Sequence, residues 1–141
     1  MLSQAFPFLS IVMLLFPMGV FMLGSPPLLI LKHDTPLDSR FIRGLFNLYY
    51  NSVIVIAAFA AVGCAAMGRS TVALAMAALV AFVFVVRRWM LARMDGLREA
   101  IGRGDATAVP RFRRLHIAGM VLNVVQFGVA LWGLTRLATA Q

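Results

Sequence analysis

The chain has 141 residues, of which 62% are hydrophobic and only 13% are charged. Soluble globular domains average about 25% charged residues, so this composition excludes an ordinary soluble domain and indicates an integral membrane protein. The net charge of +8 could suggest nucleic-acid binding, but the basic residues lie between apolar segments, where they act as orientation signals for membrane insertion. We therefore predict no nucleic-acid partner.

Four apolar segments are long enough to cross a hydrocarbon core of about 30 Å, which takes about 20 helical residues. They cover approximately residues 5–31, 45–67, 71–90 and 112–137, and a basic loop at 91–111 separates the last two. We expect four spans to leave no room for a soluble domain in this sequence. The sequence therefore predicts a single all-α transmembrane domain over residues 1–141, folded as a four-helix bundle.

The first span contains internal prolines and ends in a Gly-Ser-Pro-Pro sequence. As one helix, residues 5–31 would be roughly 40 Å long, which exceeds the thickness of the hydrocarbon core. An interior proline removes one backbone hydrogen bond and bends a helix. We therefore predict that helix one is kinked or broken near Gly24–Pro27.

The second and third spans are joined only by residues 68–70, which predicts a tight helical hairpin. Small residues recur at every fourth position along both spans. They are Ala57, Ala61, Ala65, Ala73, Ala77 and Ala81. Small residues let helices approach closely, so we predict that the two faces pack together, with dimerisation as the alternative. Beyond Val86 an apolar face continues to Ile101, which predicts an extension of helix three into the cytoplasm or an amphipathic helix on the membrane surface.

Basic residues are divided unequally between the two sides of the membrane. Eleven Lys and Arg residues lie within 32–43 and 87–114, whereas two, Arg69 and Arg136, lie on the other side. Positively charged loops stay in the cytoplasm, so we predict that loops 32–43 and 91–111 are cytoplasmic and that both termini face outwards. We expect a bacterial inner membrane, with anionic lipid headgroups as partners of the basic loops.

Polar side chains at membrane depth are uncommon and usually face the interior of a bundle. Two spans carry such residues along one helical face. They are Arg43, Asn47, Tyr50 and Asn51 on span two, and His116, Asn123 and Gln126 on span four. Both spans enter from the cytoplasm, and the helical rise places the two faces at the same depth. If the faces meet, they form one buried polar pocket, with His33 at its mouth.

Three interpretations of this pocket stay open. The polar groups could be structural hydrogen-bonding partners between helices. They could bind a small lipid-soluble ligand such as a quinone or an aromatic polyketide, with His116 as acid or base because imidazole titrates near neutral pH. His33 and His116 could also be paired haem ligands. No cofactor and no metal site is predicted outright, since the sequence lacks metal-binding, phosphate-binding and catalytic-triad motifs.

Three short motifs together resemble a known group of membrane proteins. They are Gly24–Pro27, the opening of span two at Arg43–Tyr50 and the opening of span four at Arg111–Asn123. They are similar to poorly characterised four-helix membrane proteins that include a eukaryotic transmembrane family and resemble the anthrone oxygenase-like proteins. The resemblance implies a four-helix fold and singles out His116 and Asn123. The anthrone branch implies a cofactor-free oxygenase that acts on a polycyclic aromatic.

We therefore expect a small membrane protein, either a non-catalytic accessory subunit or a bundle that binds a lipophilic ligand. One alternative is a membrane oxidoreductase or oxygenase acting on a quinone-like or polycyclic aromatic substrate. Another is an oligomeric small-molecule transporter. The sequence is compatible with an enzyme and with a binding protein. Membrane lipids are the expected partners, together with other membrane subunits or further copies of the chain.

Overall fold

The structure, a computed structural model, describes residues 2–139, and this part of the chain contains four long α-helices and no β-strand. The helices are α1 (Leu2–Gly24), α2 (Pro36–Ala66), α3 (Ser70–Gly102) and α4 (Ala108–Ala138). Each helix carries a stretch that is long and apolar enough to cross a membrane. The predicted all-α four-helix bundle is therefore confirmed.

The four helices form a ring in which each helix packs against two neighbours. Helices α1 and α3 both contact α2 and α4, so α2 and α4 face each other diagonally across the centre. The most extensive contact joins α2 and α3, which are linked by a short turn. Gly68 in this turn has a φ angle of +69°, a left-handed conformation that glycine adopts without strain. The residue therefore allows the chain to reverse within three residues, 67–69.

Helix one breaks at the predicted Gly24–Pro27 segment. Helix α1 ends at Gly24, and the chain continues as a short 3₁₀ helix over Pro26–Ile30. Its first two residues are prolines, which lack the N–H groups needed to continue the hydrogen bonds of α1. Helix α2 then begins after Thr35, whose hydroxyl accepts a hydrogen bond from the N–H of Asp38. The break places Ser25, a fully buried residue, at the point where the chain turns.

Helix α3 runs on into the predicted basic loop 91–111, so that only residues 103–107 connect it to α4. Met90, Met94 and Ile101 lie on one face of this extension, and all three are buried. Burial of an apolar stripe stabilises a helix beyond the point where its sequence becomes polar. The predicted continuation of helix three is therefore confirmed, and the connection is shorter than the basic segment suggests.

The alanine faces of α2 and α3 meet over only part of their length. Ala57 and Ala73 are buried, whereas Ala65 and Ala77 are exposed. In a helix with 3.6 residues per turn, a side chain four residues further on is rotated by about 40° around the helix axis. A row of residues at this spacing therefore drifts away from the contact, and the buried face of α2 continues through Ala60 instead.

Candidate functional site

The buried polar side chains of the bundle fall into two main groups. The first, the imidazole chain, consists of Ser25, His33 and His116. The second, the phenol–amide cluster, consists of Tyr49, Tyr50, Asn123 and Gln126. Each of these side chains is at most 3% exposed. Because burial of a polar group costs free energy unless it is paired, the pairing of each group shows what it can do.

The hydrogen bonds of the imidazole chain run in one direction. The carbonyl of Leu31 can only accept, so Nδ1 of His33 donates to it. In a neutral ring, Nε2 of His33 then accepts from the Nδ1–H of His116, 3.2 Å away. Nε2 of His116 is left to accept the hydroxyl proton of Ser25 at 2.8 Å. Both rings therefore carry their proton on Nδ1.

Three separate parts of the fold supply the imidazole chain. Ser25 comes from the break after α1, His33 from the segment before α2, and His116 from α4. His33 has a φ angle of +60°, a left-handed backbone that costs a non-glycine residue about 1–2 kcal/mol. Hydrogen bonds at both of its ring nitrogens help to offset this strain. The imidazole chain therefore fastens the broken end of helix one to α4.

The phenol–amide cluster joins α2 to α4 across the diagonal of the bundle. The hydroxyl of Tyr49 donates to Oε1 of Gln126 at 2.6 Å. The side-chain N–H of Asn123 donates to the carbonyl of Met18 at 3.4 Å, which is a long hydrogen bond. Three buried atoms of this cluster have no hydrogen-bond partner among the described residues: the Tyr50 hydroxyl, Oδ1 of Asn123 and Nε2 of Gln126. The cluster can therefore still donate to a ligand and accept from it.

The ring of Phe46 lies between the two polar groups. It packs edge-on against His116, with the ring centroids 5.6 Å apart, and its centroid lies 5.8 Å from that of Tyr50. A Cβ atom at Gly119 would lie 2.1 Å from a carbon of this ring, so the close approach of Phe46 to α4 requires glycine there. The imidazole chain and the phenol–amide cluster are thus separated by a tightly packed aromatic ring.

An apolar cavity of about 290 Å³ lies between α1 and α2. Its lining includes Phe16, Pro17, Phe21, Leu48, Tyr49 and Ser52. The rings of Phe21 and Tyr49 stack with their centroids 4.4 Å apart. Because Tyr49 lines the cavity and its hydroxyl bonds to Gln126, this one residue connects the cavity to the phenol–amide cluster.

Three residues of the predicted pocket lie elsewhere. Arg43 forms a two-fold ion pair with Asp95 of α3, with both N–O distances 2.9 Å. Asn47 accepts a hydrogen bond from Arg87 of α3 at 2.8 Å, and Asn51 is exposed. The reason is that α3, not α4, is a direct neighbour of α2. The structure therefore brings only Tyr50 of the predicted span-two face into the interior with the residues of α4.

Two residues of the site are not apparent from the sequence analysis. Tyr49 lies about 100° around the helix from Tyr50 and the predicted polar face, although an adjacent pair of tyrosines in an apolar span is a signal for it. Ser25 belongs to the Gly-Ser-Pro-Pro sequence, which predicts only a break in the helix. The sequence signal for Ser25 is a hydroxyl group at a helix break, close to the level of His33 and His116.

The imidazole chain has the order hydroxyl, base and orienting group that nucleophilic enzymes use. Two features argue against acyl transfer here. Pro26 and Pro27 follow Ser25 directly and have no N–H, so they cannot stabilise an oxyanion beside it. Ser25 itself is 0% exposed. The arrangement therefore favours a structural role for this chain.

Haem ligation by His33 and His116 would require the two rings to give up their mutual hydrogen bond. It stays a prediction. Within residues 2–139, no three His, Cys, Asp or Glu side chains come together as metal ligands.

No family model, no curated protein and no solved structure matches this chain. The resemblance to anthrone oxygenase-like proteins stays a prediction. What the fold and composition do establish is the class of protein: four long apolar helices identify a small membrane protein.

Proposed function

We propose that this protein binds a lipid-soluble aromatic ligand with ring oxygens, such as a quinone, in the cavity between α1 and α2. One observation carries the proposal: Tyr49 lines an apolar cavity, and its hydroxyl bonds to a cluster in which three buried polar atoms have no partner among the described residues. An unpaired buried polar group costs about 1–3 kcal/mol, so a ligand that pairs with these atoms gains more than apolar contact alone.

The chemistry of the unpaired atoms selects the ligand class. Nε2 of Gln126 donates, Oδ1 of Asn123 accepts, and the hydroxyl of Tyr50 can do both. A ring that carries a carbonyl and a hydroxyl or second carbonyl complements this set. A pure hydrocarbon would leave the three atoms unpaired, whereas a strongly polar ligand would not occupy the apolar cavity.

The ligand would enter sideways from the membrane. Phe16 and Leu48 beside the cavity are 71% and 66% exposed, on surfaces that face lipid in a spanning bundle. The volume of about 290 Å³ is at the lower end of the range for ligand pockets. The cavity therefore has room for the aromatic ring of the ligand and the beginning of its hydrophobic tail. The rest of the tail would extend into the bilayer. The ring of the ligand would pack against Tyr49, whose hydroxyl already contacts the phenol–amide cluster.

We assign binding rather than catalysis to this site. His116, the predicted acid or base, has its two ring nitrogens engaged by Ser25 and His33 and lies beyond Phe46. The protein would then act as an accessory or ligand-holding component of a bacterial inner membrane. In the proposed orientation, residues 32–35 and 103–107 face the cytoplasm and both termini face outwards.

The test compares decylubiquinone binding to lipid nanodiscs with and without the protein, since the free quinone also partitions into lipid. Ser52→Phe places a ring in the cavity, and Val55→Phe places the same ring on an exposed position of α2. We expect saturable binding to the wild type and to Val55→Phe, and at least about tenfold weaker binding to Ser52→Phe. Uptake no greater than that of empty nanodiscs, or equal binding to the two variants, would overturn the proposal.

A further inference from the structure

We propose that the edge of the bundle between α2 and α3 holds the phosphate of an anionic lipid headgroup, with Arg87 as its ligand and with Arg43 and Arg98 adding positive charge further along the same edge. This proposal is independent of the quinone site, which lies between α1 and α2. Three features of this edge support it: its charge, its unused hydrogen-bond donors and its depth in the membrane.

The charge at this edge is not balanced. Arg43 and Arg98 both pair with Asp95, at 2.9 and 3.1 Å. Arg87 bonds to the neutral side chain of Asn47 instead of a carboxylate. Three positive charges and one negative charge leave the cluster with +2. A half-buried positive charge without a counter-charge is stabilised by an anion.

The next carboxylate along α3 does not supply that counter-charge. Glu99 is 75% exposed in its side chain, and its oxygen lies 3.9 Å from a nitrogen of Arg103, away from Arg87 along the helix. It belongs to a surface pair, which is screened by solvent. The neutralising group for Arg87 is therefore expected from outside the described chain.

The same arginines have unused hydrogen-bond donors. The Nε atoms of Arg87 and Arg98 are buried and have no partner among the described residues. A guanidinium group carries five N–H donors in a planar fork, which matches the oxygens of a phosphate. A phosphate beside Arg87 would supply both the counter-charge and an acceptor that this side chain lacks.

The depth of Arg87 points to lipid rather than to a soluble phosphate. It follows directly on the apolar stretch of α3, and Val85 just before it is 65% exposed. Trp89 just after it is 48% exposed and lies under the guanidinium group of Arg93, 5.5 Å from the ring centroid. Exposed tryptophans concentrate at the headgroup level of membranes. Acyl chains would thus cover the surface at Val85 while the headgroup meets Arg87.

The experiment measures the thermal unfolding midpoint in nanodiscs of phosphatidylcholine with and without phosphatidylglycerol. Arg87→Gln is compared with Arg88→Gln, which removes the same charge from the next, exposed residue. We expect phosphatidylglycerol to raise the midpoint of the wild type and of Arg88→Gln by several degrees, and to raise that of Arg87→Gln by less than half as much. An equal loss in both variants would show general attraction by surface charge and would overturn the proposal.

Two further measurements separate a lipid phosphate from a soluble phosphate and test the proposal without the Arg87→Gln variant. Inorganic phosphate at millimolar concentration, added to the phosphatidylcholine nanodiscs, should leave the midpoint unchanged; a shift equal to that of phosphatidylglycerol would overturn the lipid assignment. Asp95→Asn raises the charge of the cluster to +3. The phosphatidylglycerol-dependent shift of this variant should exceed that of the wild type, and a smaller shift would contradict the proposal even if Arg87→Gln fails to fold.

Discussion

The two buried polar groups of the bundle differ in how completely they are paired. In the imidazole chain, every ring nitrogen and the hydroxyl of Ser25 have a partner. In the phenol–amide cluster, three buried atoms have none among the described residues. A fully paired buried network rigidifies a fold, whereas a partly paired one is costly until something completes it. Buried polar residues of one bundle thus differ in pairing: the imidazole chain links helix one to α4, and the phenol–amide cluster is the part we propose for ligand binding.

The largest expected effect comes from removing the centre of the imidazole chain. His116→Ala leaves the hydroxyl of Ser25 and Nε2 of His33 buried without partners and opens a cavity. We expect a loss of about 3–5 kcal/mol in the free energy of unfolding, measured by denaturant titration in micelles. Asn123→Ala removes an Oδ1 without a partner among the described residues and a long hydrogen bond of 3.4 Å to Met18, so it should cost clearly less. Equal losses would mean that the two groups do not differ in pairing strength.

The next effect tests the ring that separates the two groups. Gly119→Ala places a methyl group against Phe46, whose ring is fully buried and has little room to move. We expect destabilisation of about 1–3 kcal/mol from overpacking. The matched control is Gly128→Ala on the same helix, where a Cβ meets nothing within 4 Å. That change should be neutral or stabilise by about 0.5–1 kcal/mol, because alanine favours a helix over glycine.

The adjacent tyrosines separate binding from stability. Tyr50→Phe removes an unpaired buried hydroxyl, so it should leave the free energy of unfolding unchanged or raise it by about 1 kcal/mol. The same change should weaken decylubiquinone binding. Tyr49→Phe removes the 2.6 Å hydrogen bond to Gln126 and should lower the free energy of unfolding by about 1 kcal/mol. Changes of opposite sign in the free energy of unfolding of the two variants would support the difference in pairing between the two hydroxyls. A Tyr50→Phe variant with unchanged decylubiquinone binding would contradict the ligand site.

Hydropathy and proline content predict the helices and the break after Gly24, because these depend on local composition. The partners of each polar face depend on which helices are neighbours, and the sequence does not encode this locally. Arg43 and Asn47 face α3 because α4 is diagonal to α2. The imidazole chain needs His116 to meet Ser25 and His33, which lie 91 and 83 residues before it, and the sequence indicates a common role only for His33 and His116.

The smallest effect concerns a residue that shares a sequence face with Tyr50 but lies outside the bundle interior. Asn51 is exposed, so Asn51→Ala should change the free energy of unfolding by no more than about 0.5 kcal/mol and leave decylubiquinone binding unchanged. The same amide-to-methyl change at Asn123 removes a buried acceptor of the cluster and should weaken binding. Two asparagines of similar predicted depth would then differ only in whether they face the interior. A loss of binding with Asn51→Ala would instead place the ligand on the outer face of α2.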